Sequence, residues 1–393
     1  MTNTEVAIVA AVRTPFGRYF GGLSTARPDD LLAATLRELA DRTPALDINN
    51  VDDVIIGDSN GAGEDNRNVA RMGVLLADFP LTIPGLTLNR LCGSGAEAFI
   101  QAARAIRTGD AEFIIAGGVE SMSRAPWIVQ RSGREVPAAP EFHQSTVGWR
   151  MTNPNFPSHW TSSLGRCSEL VAENLGIGRV EQDEWALRSH QRATSAWDRG
   201  LHSDWVFNIQ GISRDESLRP DSSLATLAAL PSVFSENGAG TAGNSSPLND
   251  GSVTALLSSK ENALAIGIAP IGLFLGAQVV ATEPDLFSLA PVAAIHKLLK
   301  KLNLKISDIK VWEINEAFSS MVLAVLHEIP EIDVETVNIN GGAIALGHPV
   351  GASASRVIID TARELKRKGG GIGIAAACIG VGLGVAIAIE VEG

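Results

Sequence analysis

The sequence predicts an α/β protein with a largely parallel sheet covered by helices on both faces. Three observations support this class. Short apolar runs alternate with helical stretches at the start of the chain, the same alternation returns at its end, and the composition suits closely packed layers. Of 393 residues, 45% are apolar, only 5% are aromatic, and 39 are Gly, the residue that lets backbones approach closely. In chain order, Val6–Val12 reads as a buried strand and Asp29–Arg42 as a helix with apolar residues at helical spacing. Val54–Ile56 reads as a strand, Gly95–Arg107 as a helix and Glu112–Gly117 as a strand.

The middle of the chain, from about Ser121 to Asn249, differs. It holds all the tryptophans but Trp312, many Pro and Ser, and irregular stretches such as Glu141–Ser163, with helices expected at Ser168–Asn174 and Val180–Trp197. A long polar insertion of this kind between α/β blocks suits a substrate-binding region. The alternation then resumes, with a helix at Pro291–Leu302, a strand at Val311–Ile314, and an amphipathic helix at Ala352–Lys368 stopped by Gly369–Gly371. From Gly369 to Ile389 no residue is charged, and the run is long enough to span a membrane. Its glycines at 369, 370, 371, 373, 380, 382 and 384 would each cost a helix about 1 kcal/mol relative to Ala. Two buried strands joined by a Gly-rich turn fit better.

The net charge of −12 gives no global attraction to nucleic acid or anionic membrane. The N-terminus lacks the basic region and apolar length of a signal peptide, since Arg13 interrupts its first run. Three cysteines without CxxC pairing suggest neither a zinc site nor a disulfide framework, and fit a reducing compartment, the cytoplasm.

Four positions offer chemistry. Cys92, in Asn89-Arg-Leu-Cys-Gly-Ser-Gly95, sits where a tight turn feeds a helix, and the positive helix end is expected to lower its pKa. A small core residue is the alternative. His348, between Gly347 and Pro349, is in a turn and available as a base, or is a structural turn histidine. Cys378, after three alanines and before Ile-Gly-Val-Gly, is a second acid/base or a buried strand residue. Asn315, followed by Glu316, could hold a water or a carbonyl oxygen, or cap a helix. His327-Glu328 lacks the second His of a zincin, and the glycines near Cys378 lack the ending of a P-loop. Cys92-Gly-Ser-Gly-Ala and His348-Pro-Val-Gly-Ala each open a helix, a weak echo of two similar halves.

Together these motifs resemble the thiolase family over nearly the whole chain. They are Val12-Arg-Thr-Pro-Phe-Gly17, Leu91-Cys-Gly-Ser-Gly95, Gly117-Gly-Val-Glu-Ser-Met-Ser123, Gly240-Thr-Ala-Gly-Asn-Ser-Ser246, Leu248-Asn-Asp-Gly251, Asn315-Glu-Ala-Phe318, Gly347-His-Pro349 and Cys378-Ile-Gly380. The resemblance implies two related βαβαβαββ halves in a five-layered α-β-α-β-α arrangement. Residues 1–120 and 250–270 would form the first half, 121–249 an inserted loop domain binding coenzyme A, and 271–393 the second half. It implies a homodimer or a homotetramer acting on acyl-CoA and CoA, with no metal or other cofactor. It implies that Cys92 becomes acylated, that His348 activates it, and that Cys378 moves the proton at the substrate α-carbon. The N–H groups of Cys92 and Gly380 would form one oxyanion hole, and His348 with a water held by Asn315 the other. Arg219 and Ser246 match positions near the nucleotide and pantetheine of CoA, and Phe318 and Phe287 match positions near the substrate.

Within the family, Gly63–Arg71 and Thr146-Val-Gly-Trp-Arg150 look most like the β-ketoadipyl-CoA thiolase group of aromatic degradation. Leu383 departs from that group's usual Gln. Glu283–Pro291 has lost the family's Met-Gly-x-Gly, with Phe287 at the Met position, which is expected to reshape the acyl pocket. The expected reaction is reversible thiolysis of 3-oxoacyl-CoA. The alternatives are a ketoacyl-synthase-like condensing enzyme, against which the second thiol argues, and a non-catalytic acyl-CoA or lipid-binding protein, which would need none of the four side chains.

Overall fold

The computed structural model describes residues 4–131 and 139–393. Residues 1–3 and 132–138, which belong to the expected first half and to the insertion, lie outside the described residues. Five strands build the first half: Val6–Arg13, Asp53–Gly57, Gly85–Leu88, Phe113–Ser121 and Asn249–Ser259. Across the sheet they stand in the order third, second, fourth, fifth, first. The second half repeats the pattern. Gly272–Ala281 is its first strand, Ile309–Ile314 its second, and Gly371–Ile379 and Leu383–Val391 its last two, in the order second, fourth, fifth, first. Its third strand is reduced to one parallel bridge, Trp312 to Val337. The two first strands pair edge to edge, Val6 with Phe274 and Ile8 with Gly272, so the halves share one sheet path.

Strand residues alternate between two buried faces, as a period of two demands. Ile114 and Ala116 face one core, while Phe113 and Ile115 face another. The helices Pro28–Asp41 and Val69–Leu76 cover the outer face of the first half through Leu31, Leu36 and Val74. Ala290–Leu302 and Ser319–Glu328 cover the outer face of the second through Leu298, Met321 and Val325. Between the halves lie Ser94–Thr108 and Val350–Arg367, whose Phe99, Ile100, Val357 and Ile358 share one core with strands of both. Helix, sheet, helix pair, sheet and helix make five layers. The central helices approach closely at their starts, where a Cβ on Gly95 would lie 2.3 Å from the Ser355 Oγ. Cys92 and His348 each lie two residues before the start of one of these helices, at equivalent places in the two halves.

The sheet is mixed and not largely parallel. The last strand of each half runs antiparallel to its neighbours. Helical crossovers enforce parallel pairing only where they occur. Asn249–Ser259 is reached through the insertion, and Gly371–Ile379 turns back through a tight hairpin with Val381 at φ 58° and Gly382 at φ 75°. The uncharged run Gly369–Ile389 is thus two strands. Among the described residues no helix is long and apolar enough to cross a membrane.

The insertion carries the helices Leu164–Leu175, Arg179–Asp198 and Leu224–Ala228. Buried polar pairs tie it down. Arg13 makes a two-pronged contact with Asp215 at 2.6 and 2.9 Å. Glu316 accepts from Trp185 Nε1 at 3.1 Å and from Ser189 Oγ at 2.6 Å.

Candidate active site

Cys92 is presented by a strained turn. Asn89 Oδ1 accepts the Leu91 N–H at 2.8 Å, and Ser94 Oγ donates to the Leu91 carbonyl at 2.7 Å while accepting from the Arg90 N–H at 2.9 Å. Leu91 is held at φ 49°, a left-handed conformation costing on the order of 1–3 kcal/mol outside glycine. The turn presses on the end of the Gly371–Ile379 strand, since a Cβ on Gly93 would meet Ile379 Cδ1 at 2.3 Å. The Gly380 N–H points at the Cys92 sulfur, as does the N–H of Cys92 itself.

Burial pushes the Cys92 thiol up to about 11, despite these two N–H groups. The expected lowering by the helix end is overturned. Cys92 lies outside the helix, which starts at Ser94, and it is only 9% exposed, so desolvation of the thiolate dominates. The resting group is a thiol and needs a base. Cys378, 1% exposed, is pushed up well above its ordinary value by burial and by the nearby Cys92 sulfur, so the two thiols are neighbours.

His348 is held on two sides. Its N–H donates to Asn249 Oδ1 at 2.9 Å, and Asn249 Nδ2 is itself fixed by the Gly17 carbonyl at 2.8 Å. Its Nδ1 lies 2.6 Å from Ser353 Oγ, whose hydroxyl proton is directed to the Pro349 carbonyl at 2.8 Å. The hydroxyl therefore accepts from Nδ1–H, which leaves the Nε2 lone pair free. Burial, aided by Arg356, lowers the imidazole pKa to about 4, so the ring is neutral at pH 7. Val350, two residues on, lines the same cavity as Cys92.

Asn315 follows the Ile309–Ile314 strand, and its N–H bonds the Ala376 carbonyl, two residues before Cys378. It is fully buried, yet neither Nδ2 nor Oδ1 has a hydrogen-bond partner. It does not cap the next helix, whose N-cap is Phe318. Two buried polar atoms without partners mark a place for a water or a ligand.

A cavity of about 520 Å³ opens on Cys92, with Leu91, Gly380, Glu120 and the 145–151 turn among its walls. The other expected positions lie elsewhere. Arg219 is exposed at a second cavity of about 340 Å³, with Arg18, Tyr19, Pro247 and Leu248. Ser246 is half-buried and adjoins that cavity, its N–H bonded to the Ala317 carbonyl at 3.0 Å. Its chain runs through Pro247 and Leu248 directly into Asn249, the anchor of His348. Phe318 stacks edge-on with Phe234 and Phe287 at 5.5 and 6.4 Å. Phe287 is 1% exposed and belongs to the core of the second half, outside the walls of the Cys92 cavity.

Three residues gain importance only from the structure. Asn249 and Ser353 position His348. Glu120, in the Cys92 cavity wall, accepts the N–H groups of Ser59 at 3.0 Å and Gly351 at 2.9 Å, so it pins the start of the second central helix. Asn249 and Glu120 sit inside the motifs that carry the family resemblance, which was the available signal.

The comparisons with known proteins agree with this arrangement. The family described as "Thiolase, N-terminal domain" matches residues 6–261, and "Thiolase, C-terminal domain" matches residues 268–391. The 3-oxoadipyl-CoA/3-oxo-5,6-dehydrosuberyl-CoA thiolase of Escherichia coli K12 is 45% identical over 378 residues, covering 93% of this chain and 94% of the relative. A β-ketoadipyl-CoA thiolase of Pseudomonas knackmussii is 43% identical, covering 94% of both chains. Among solved structures, human mitochondrial 3-ketoacyl-CoA thiolase in complex with CoA superposes with a TM-score of 0.92 at 33% identity, covering 99% of this chain and 98% of that one. With both halves matched, and the Cys92 turn, the His348 turn and the Cys378 strand end meeting at the junction of those halves, the chain belongs to the thiolase family, enzymes that transfer acyl groups in reversible, CoA-dependent Claisen chemistry.

Proposed function

We propose that the reaction runs through an S-acyl-Cys92 intermediate. In the cleavage direction His348 Nε2 takes the Cys92 proton as the sulfur attacks the 3-oxo carbon of a 3-oxoacyl-CoA. The Gly380 and Cys92 N–H groups receive the resulting oxyanion, a placement supported by their direction toward the sulfur. The C2–C3 bond then breaks. The enolate of the departing acetyl-CoA is stabilised by His348 Nε2–H and a water on Asn315, and Cys378 gives its proton to C2. In the second half, Cys378 thiolate takes the proton of incoming CoA, whose sulfur attacks the acyl group. The released Cys92 sulfur recovers its proton from His348. Two thiols, one imidazole and one amide close this cycle without a metal or redox cofactor.

The observation that supports this reading best is that Cys92, in the cavity wall, has both the Gly380 N–H and the Cys378 thiol beside it. Arg219 and Ser246 are suited to the nucleotide and pantetheine of CoA, with Phe318 beside the chain. The acyl group, following the relatives that act on 3-oxoadipyl-CoA, is dicarboxylic. The unpaired outer side of the Gly85–Leu88 edge strand, with Leu86 exposed, suits pairing with a second copy as a homodimer or within a homotetramer. Three free cysteines fit the cytoplasm.

The test is thiolysis by purified protein of acetoacetyl-CoA, a medium-chain 3-oxoacyl-CoA and 3-oxoadipyl-CoA, with and without Cys92→Ser. Cleavage abolished by that substitution is expected. Normal turnover in Cys92→Ser would overturn the mechanism.

A further inference from the structure

The 146–150 segment of the insertion forms part of the Cys92 cavity wall, and none of its residues has a role in the reaction above. Gly148 takes φ 81° and Met151 φ 49°, so the chain turns sharply around Trp149 and Arg150. Trp149 is anchored by its Nε1 donating to the Ser162 carbonyl at 3.1 Å, and its ring would be 3.1 Å from a Cβ on Gly380. This sets Arg150, the next residue, in the same cavity.

Arg150 is half-buried, and its Nη2 donates to Asn60 Oδ1 at 3.3 Å. The Asn60 amide is itself held by Ser145 Oγ at 3.2 Å, and that hydroxyl donates to the Pro126 carbonyl at 2.6 Å. A guanidinium has five N–H donors, and the Asn60 contact uses one. Among the described residues no carboxylate pairs with Arg150, whereas Arg27 and Arg124 both pair with Glu64. The cavity therefore presents a cation that is held in place and still has donors to give. Its volume of about 520 Å³ falls within the range typical of small-molecule sites, roughly 300–1,000 Å³.

We propose that Arg150 is the specificity residue of the acyl pocket and binds the terminal carboxylate of a 3-oxoacyl chain whose reacting carbon lies at Cys92. This rests on the thiolase reading and adds to it the group that reads the far end of the chain. A planar guanidinium matches a carboxylate with two parallel hydrogen bonds. A methyl-ended chain would leave those donors facing an apolar group, so the preference works by attraction and by rejection. Glu120 lines the same cavity but does not cancel the cation. Burial, with Asp65 nearby, raises its carboxyl to about 8, so it is mostly uncharged at pH 7.

The test compares two substrates of equal chain length, 3-oxoadipyl-CoA and 3-oxohexanoyl-CoA, by kcat/KM for thiolysis in wild type, Arg150→Met and Arg150→Lys. Wild type is expected to favour the carboxylate-ended chain. Arg150→Met should reduce the ratio of the two kcat/KM values by about tenfold to a hundredfold, the range expected for hydrogen bonds to charged groups, and Arg150→Lys should restore part of it. If both substrates fall together in Arg150→Met and the ratio stays constant, Arg150 has only a structural or general role and the proposal is overturned. A wild type that cleaves both chains equally would overturn the carboxylate site and leave the thiolase reading intact. Cleavage of neither, nor of acetoacetyl-CoA, would overturn both.

Discussion

Replacing Ser353 with alanine tests how His348 is kept ready as a base. The Ser353 hydroxyl touches no substrate in the reaction above. It accepts a hydrogen bond from His348 Nδ1–H at 2.6 Å and donates one to the Pro349 carbonyl at 2.8 Å. That carbonyl also accepts the N–H groups of Ala352 and Ser353 at 3.0 and 2.9 Å, so it stays satisfied in the variant. The loss thus falls on Nδ1–H, buried and without a partner, at about 1–3 kcal/mol. Part of that appears as lower stability. The rest appears in the chemistry, because the ring can flip its proton to Nε2, the position that must be empty to receive the Cys92 proton. If the whole 1–3 kcal/mol fell on the acylation transition state, that step would slow by about fivefold to 160-fold, which is the upper bound on the effect. The assay is the pre-steady-state release of CoA from acetyl-CoA as Cys92 is acylated, run on folded variant, with urea midpoints measured in parallel. Wild-type acylation in a destabilised Ser353→Ala would show that Ser353 serves the fold alone and would refute the tautomer argument.

Cys378→Ala is expected to form acyl-Cys92 from acetyl-CoA but to stall at condensation, seen as a CoA burst without acetoacetyl-CoA formation; an acyl-enzyme that cannot be trapped in this variant would count against the division of labour between the thiols. Asn315→Leu should keep or slightly raise stability, because the two buried amide atoms it removes have no protein partner, while turnover falls on the order of 10²–10³ as one oxyanion site loses its water; a strongly destabilised variant with normal activity would contradict this. Glu120 is held in its protonated form, with its pKa raised from 4.5 to about 8, so its contribution to stability is full below 4.5 and is lost as pH rises through about 8. The slope is at most about 1.4 kcal/mol per pH unit. His348 has the opposite sign, with stability lost as pH falls from 6.5 toward about 4, so it does not oppose the acid in the window from 6.5 to 8. Asp58 and Glu313, also raised by burial, share the sign of Glu120, whose part is the difference between wild type and variant. Glu120→Gln, which keeps an acceptor for the Ser59 and Gly351 N–H groups, should have a flatter urea midpoint across that window, and parallel curves would refute the charge argument.

Much of the fold was legible because its helices are amphipathic and end in recognisable stops. The helix read at Gly95–Arg107 is Ser94–Thr108, closed by Gly109 at φ 79°. That read at Ala352–Lys368 is Val350–Arg367. The strand Asn249–Ser259 was not legible, since it buries Ser252, Thr254 and Ser258, which look like loop residues. Their hydroxyls are satisfied across layers. Ser252 meets the Thr35 hydroxyl at 2.9 Å, and Ser258 donates to the Glu112 carbonyl at 2.7 Å. Hydropathy cannot register partners so distant in the chain, and the mixed character of the sheet was lost with this strand. At the site, turns and strand ends drew attention to Cys92, His348, Cys378 and Asn315, and the family motifs joined them into one set. The sign of the Cys92 shift could not, because local sequence reports the helix end and says nothing of how deeply the surrounding layers bury the sulfur. Phe287 shows the same limit: its place in a motif pointed to the acyl pocket, while its side chain fills the core beside Phe318.

The central claim is that Cys92 carries the acyl group, and peptide mapping of the trapped acyl-enzyme tests it most directly. Protein mixed with acetoacetyl-CoA or 3-oxoadipyl-CoA in the absence of free CoA, then quenched in acid and digested, should carry an acyl adduct on the Cys92 peptide alone, discharged by added CoA and absent in Cys92→Ser. An adduct on Cys167 or Cys378 instead, or none while cleavage proceeds, would contradict the account.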